Sequence, residues 1–162
     1  MIAGVAPHPD LGRLAELIGD WAGEGRGQWE SGDVFGYRET LSITHSGKPV
    51  LGYVQRTTAL DDGRPLHGES GYWRPAPDGG VELVLAHSVG AVGIAVGRWD
   101  GDVLRLRSST VHTSPSAKRV TALERDIALH DDTMEYTLRM STGEESPRWH
   151  LSAALQRSRG GP

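Results

Sequence analysis

The chain has 162 residues, a formal net charge of −4 and no cysteine. That length fits one domain, 1–162, large enough to bury its own core. The missing cysteines exclude disulfides, thiolate ligands and cysteine nucleophiles, and scattered basic residues on an acidic balance argue against nucleic acid as a partner.

Residues 1–9 read as an irregular arm containing Pro7 and Pro9. Met1-Ile2-Ala3-Gly4 lacks the basic segment and apolar core of a signal peptide. No run approaches the roughly 18 apolar residues of a membrane span, and a reducing cytoplasm, compatible with the absence of cysteine, is the expected location. A short helix is predicted near residues 10–18, with Asp10 as N-cap and Leu11, Leu14, Leu17 and Ile18 at helical spacing. Gly19 supplies the left-handed residue that ends it.

From Trp21 onward the apolar period becomes two. Ten strands are predicted, near 21–29, 34–45, 49–59, 66–75, 80–87, 91–98, 102–109, 118–130, 133–141 and 148–157. Turn chemistry separates them, as in Asp61-Asp62-Gly63, Pro77-Asp78-Gly79-Gly80 and Asp100-Gly101. With 22 glycines, about twice the average share, the chain reads as all-β. Ten strands in one sheet accumulate twist until they curl or close, so the expected fold is a ten-stranded antiparallel closed β-barrel with one short N-terminal helix.

Alternation suggests the interior. In the ninth run Met134, Tyr136, Leu138 and Met140 share a face. In the tenth, His150, Ser152 and Ala154 share one face and Leu151, Ala153 and Leu155 the other. Either set could face the lumen. With His150 inward, small neighbours leave room beside its imidazole, and a barrel of this size can enclose a ligand cavity.

Seven histidines are present, none at the spacing of a helical zinc motif. A three-histidine zinc site assembled across strands stays compatible with the sequence. No Gly-x-Ser-x-Gly elbow occurs, and Gly23-Glu24-Gly25-Arg26-Gly27 lacks the last glycine and the helix of a dinucleotide loop. A lone inward histidine in an apolar cavity suits a cofactor that brings its other ligands with it, and haem is such a cofactor.

The Gly19-x-Trp21-x-Gly23-x-Gly25 motif resembles the signature of the nitrobindins, small haem-binding barrels related in shape to fatty-acid-binding proteins. The resemblance runs through His45-Ser46-Gly47-Lys48-Pro49, Pro65-Leu66-His67-Gly68-Glu69, Val81 to Ser88, Arg139-Met140-Ser141-Thr142 and His150-Leu151, and so covers nearly the whole chain. It implies a ten-stranded barrel holding one haem b per chain, with His150 as the axial iron ligand. It further implies Lys118 at the haem edge facing a propionate, and Leu66, His67, His87 and Met140 around the pocket. Members commonly carry methionine at position 66 and can carry glutamine at 87, so leucine and histidine here change the pocket's polarity. Trp29-Glu30 stands where many members have Tyr-Pro. Gly19, Trp21, Gly23 and Gly25 are expected to serve structure, with Trp21 plugging a barrel end.

The activity implied by the resemblance is isomerisation of peroxynitrite to nitrate by ferric haem, with reversible nitric oxide binding. A shallow apolar distal side would stabilise bound oxygen weakly. The expected partners are these small inorganic ligands, with no nucleic acid and no membrane, and a homodimer is left open. The alternative from another class is a haem-free intracellular carrier of a fatty acid or other small apolar ligand, its carboxylate fixed by a basic residue.

Overall fold

Ten antiparallel strands run alternately up and down in the computed structural model, which describes residues 5–158. They are β1 (Gly19–Gln28), β2 (Val34–His45), β3 (Leu51–Ala59), β4 (Pro65–Pro75), β5 (Val81–His87), β6 (Ala91–Asp100), β7 (Val103–Thr113), β8 (Ala122–His130), β9 (Thr133–Ser141) and β10 (Arg148–Arg157). Each strand pairs with its neighbours in sequence, and β1 pairs with β10 to close the barrel. Closure leaves no sheet edge exposed. The expected all-β barrel is the fold observed; residues 1–4 of the expected arm lie outside the described residues. Among the described residues no helix is long and apolar enough to cross a membrane.

The helix is a 3-10 helix over Pro9–Leu17, kinked at Gly12, where φ is +50°. Its cap is not Asp10. The His8 side chain accepts the Asp10 backbone N–H at 3.2 Å, and Pro9 occupies a position whose N–H needs no partner. Ile18, in extended backbone, ends the helix, and Gly19, at φ +139°, opens β1. Leu11, Leu14 and Leu17 are buried beneath the helix, which covers one end of the barrel as the apolar spacing requires.

Trp21 fills the same end. It is 1% exposed, and its indole N–H donates to the Leu17 carbonyl at 2.9 Å. Arg157, near the end of β10, lies over the indole ring. It also donates to Asp132 Oδ1 at 3.0 Å, to the Glu16 carbonyl at 2.8 Å and to the Ile18 carbonyl.

The lumen face of β1 reads Trp21, Gly23, Gly25, Gly27. A Cβ at Gly23 would stand 2.0 Å from the Ala154 carbonyl oxygen, and one at Gly25 would stand 2.4 Å from Cζ of Tyr37. Both glycines are therefore needed for close approach: one lets β1 bend onto β10, the other admits the Tyr37 ring. That accounts for the Trp-x-Gly-x-Gly spacing without any chemical role.

The interior is filled. Ile43, Leu51, Leu83, Leu104, Leu106 and Leu155 are almost wholly buried. Between them lies a polar belt containing Glu39, Gln55, Glu69 and Arg125. Two interior cavities measure about 20 Å³ each, room for about one water molecule. Neither is the large enclosed cavity that a barrel of this size can hold.

Candidate functional site

Strand direction brings the expected site residues together. Odd-numbered strands run away from the helix-covered end and even-numbered strands return to it. Leu66 and His67 begin β4, His87 ends β5, Met140 nearly ends β9 and His150 lies near the start of β10. All four segments, and the β7–β8 loop carrying Lys118, therefore meet at the opposite end, the mouth.

Two bulges shape that mouth. The β10–β9 register pairs Trp149 with Arg139 and then Leu151 with Leu138, leaving His150 as an extra residue. The β3–β4 register skips Leu66 in the same way. A bulge re-aims side chains and interrupts strict alternation. Here it corrects the expected face of β10. Leu151 packs against the core, and Ala153 and Leu155 are buried within it, while Ala154 is exposed and Ser152 is only partly covered. Ser152 and Ala154 are thus not lumen neighbours of His150. The bulge frees His150 from strict alternation with Leu151, and its partly buried ring lies against the end of β1.

His150 Nδ1 lies 3.2 Å from the Gln28 carbonyl oxygen at the end of β1. A carbonyl only accepts, so Nδ1 carries the proton and Nε2 presents a lone pair. Burial lowers the imidazole's pKa; the Gln28 bond opposes this, nearby His67 adds to it and Glu30 opposes it. The net shift favours the neutral ring, in which Nε2 is the nitrogen left to act as a ligand.

His67 and His87 both reach inward. His67 Nε2 and His87 Nδ1 are 3.1 Å apart, and His87 Nδ1 is 3.2 Å from Glu69 Oε2. Glu69 is held from below by Arg125, through contacts of 2.7 and 3.0 Å, and by the Tyr53 hydroxyl at 3.0 Å. Burial alone would raise the Glu69 carboxyl, but the Arg125 guanidinium, which also hydrogen-bonds it, and the neighbouring His67 and His87 hold it well below its ordinary value. Among the described residues, His87 Nε2 is buried without a hydrogen-bond partner.

A second buried carboxylate, Glu39, accepts from Gln55 at 2.8 Å and from the Tyr136 hydroxyl at 2.6 Å. Burial raises its pKa, with the Tyr136 and Gln55 hydrogen bonds opposing. The interior beside the mouth is therefore polar, contrary to the apolar cavity expected for a lone histidine.

Met134, Tyr136 and Leu138 are buried on one face of β9 as alternation requires, and Met140, two residues on, is partly covered. Leu66 packs against the core. Lys118 departs from expectation. It is not on a strand but in the loop before β8, its side chain is 78% exposed, and it pairs with Glu30 at 2.9 Å.

Glu69, Arg125 and Gln28 were not anticipated. Glu69 could have been, because His67 and Glu69 are two apart on one strand and so share a face. Arg125 sits between the inward residues Leu123 and Ile127 at the same parity. The Gln28 carbonyl carries no side-chain signal.

Comparisons place this geometry among known proteins. Residues 10–157 match the model of the THAP4-like, heme-binding beta-barrel domain. The peroxynitrite isomerase of Nocardia farcinica is 46% identical over 159 residues, spanning 94% of either chain. Peroxynitrite isomerase 1 of Mycolicibacterium paratuberculosis is 42% identical over 156 residues, spanning 94% of this chain and 97% of that one. The crystal structure of Rv2717c from M. tuberculosis superposes with a TM-score of 0.86 at 41% identity, covering 95% of this chain and all of that one. The chain belongs to the THAP4-like haem-binding β-barrel family.

Proposed function

We propose that the chain holds one haem b at the mouth through Nε2 of His150, isomerises peroxynitrite to nitrate, and binds nitric oxide reversibly. The observation that carries this reading is the His150–Gln28 contact. A backbone carbonyl on Nδ1 fixes the tautomer and orients the ring, and this is the outer-shell partner a metal-bound imidazole ordinarily has. The donor chemistry fits haem: a partly buried imidazole whose Nδ1 is engaged by the Gln28 carbonyl has Nε2 left to act as a ligand. When bound, ferric haem supplies a Lewis-acidic iron with a position open to a small anion.

Each residue then has a limited task. Isomerisation conserves atoms and charge, so the chain need supply neither a net proton nor an electron. His150 holds the cofactor. Leu66 and Met140 line the pocket, and His67 and His87 add hydrogen-bonding groups near it. Lys118 neutralises a propionate only by exchanging its contact with Glu30.

The apolar-carrier alternative gains nothing from the two interior cavities: each, at about 20 Å³, is too small for a fatty-acid chain, and one is lined by Glu39, Glu69 and Arg125.

Wild type and His150→Ala, each incubated with hemin and desalted, test the proposal. Wild type should keep a Soret band, shift it on adding nitric oxide, speed peroxynitrite decay and yield nitrate. His150→Ala should lose most of the Soret band and the activity with it. Equal absorbance and equal decay in the two samples would reject His150 as the ligand.

A further inference from the structure

His67, Glu69 and His87 bring three donor atoms to one point. His67 and Glu69 are two apart on β4, so they share a face, and the β4–β5 register sets His87 directly opposite Glu69. The edges of the triangle are 3.1 Å between His67 Nε2 and His87 Nδ1, 3.2 Å between His87 Nδ1 and Glu69 Oε2, and 3.8 Å between His67 Nε2 and Glu69 Oε2. A tetrahedral zinc ion with ligand bonds near 2.0–2.2 Å spaces its ligands about 3.4 Å apart. The three atoms are therefore already set at metal-ligand spacing.

Their chemistry agrees. Glu69 Oε2 only accepts, and each facing ring nitrogen presents a lone pair when its ring carries the proton on the other nitrogen. In those tautomers all three atoms are donors to a divalent cation. The groups are sheltered: the side chains of Glu69 and His87 are 2% and 7% exposed, and that of His67 is 25% exposed. An outer shell is in place, because Arg125 and Tyr53 hold the carboxylate through Oε1 while Arg125 also touches Oε2. The Arg125 charge works against a cation, so binding weaker than at a four-ligand structural zinc site follows.

We propose that His67, Glu69 and His87 form a binding site for one divalent transition-metal cation of the zinc class. Two imidazoles and one carboxylate leave a fourth position for water or a small ligand, the arrangement of a catalytic rather than a structural zinc site. The site does not include the proposed haem ligand His150, but it takes His67 and His87 from the haem pocket: with a cation bound, their facing nitrogens are ligands rather than hydrogen-bonding groups for that pocket.

The test uses the full chain stripped with a chelator and titrated with zinc(II), and with cobalt(II) as a visible reporter. Wild type should bind one equivalent of zinc, and cobalt should give the intense d–d bands of a tetrahedral site. His67→Gln and His87→Gln should each weaken zinc binding by at least about tenfold, while His150→Ala should leave it within about twofold. Glu69→Gln leaves buried Arg125 without its counter-charge and puts folding at risk, so the two histidine variants, checked for an unchanged circular-dichroism spectrum in chelator, decide the matter. Zinc binding as tight in folded His87→Gln as in wild type would overturn the proposal. So would loss of binding in His150→Ala with retention in both glutamine variants.

Discussion

The Arg157 guanidinium stands 4.0 Å above the ring of Trp21, so the last strand clamps the residue that plugs the first. Trp21→Ala removes a fully packed aromatic ring and should destabilise the fold by about 3–5 kcal/mol. Arg157→Ala keeps the plug but loses its cation–π contact and hydrogen bonds, and should cost about 1–3 kcal/mol. Denaturant unfolding reads both. An unchanged midpoint and slope in Trp21→Ala would show that the ring is not a core plug.

Glu69 and Arg125 form a two-point ion pair inside the barrel. Removing one partner strands a buried charge, so Arg125→Met alone should cost about 3–5 kcal/mol. Glu69→Leu combined with Arg125→Met should cost much less than the sum of the single changes, because no charge is left unpaired. A double-mutant cycle in the presence of chelator measures this, and strict additivity would contradict it.

Glu39 should make the protein less stable as pH rises. Its folded pKa is raised above the ordinary 4.5 by burial, so the folded state holds its proton over a pH range in which the unfolded chain has released it. Stability from this group is full below about pH 4.5 and falls as pH climbs towards the raised folded value. Glu39→Gln removes that dependence. Unfolding midpoints at pH 5 and pH 8 should therefore favour the variant more, relative to wild type, at the higher pH. A constant difference would argue against an elevated Glu39.

Lys118→Ala should change little. The lysine is exposed and already paired with Glu30, and an exposed pair contributes only about 0–1 kcal/mol. Haem retention after desalting should fall by no more than about fivefold. Complete loss of haem would give Lys118 a larger part than its exposure allows.

The barrel was legible because period-two runs and turn residues reinforce each other over ten strands. Trp21 and its glycines marked the closed end for the same reason: a bulky residue followed by alternate glycines leaves few ways to pack. The mouth was less legible. A bulge adds one residue without altering composition, so alternation alone tied His150 to Ser152 and Ala154 and forced a choice between His150 and Leu151 that the backbone does not make. Charge misled too. Glu69 and Arg125 read as surface residues singly and become interior ones only as a pair, across 56 residues of sequence. Lys118 read as part of a strand because Ala117 to Val120 carries no turn residue, whereas the observed strand begins at Ala122.

The closing seam between β1 and β10 has a consequence for the chain as it leaves the ribosome. Trp21 is made well before its register partner Arg157, so the pairing that closes the longest loop among the described strands waits until β10 has been made. His150 lies on that last strand. Until β10 is made the nascent chain can form hairpins but has neither a closed barrel nor the imidazole proposed to take the cofactor. The proposed ligation thus waits for β10, and a chain interrupted before that strand has no such imidazole to offer haem.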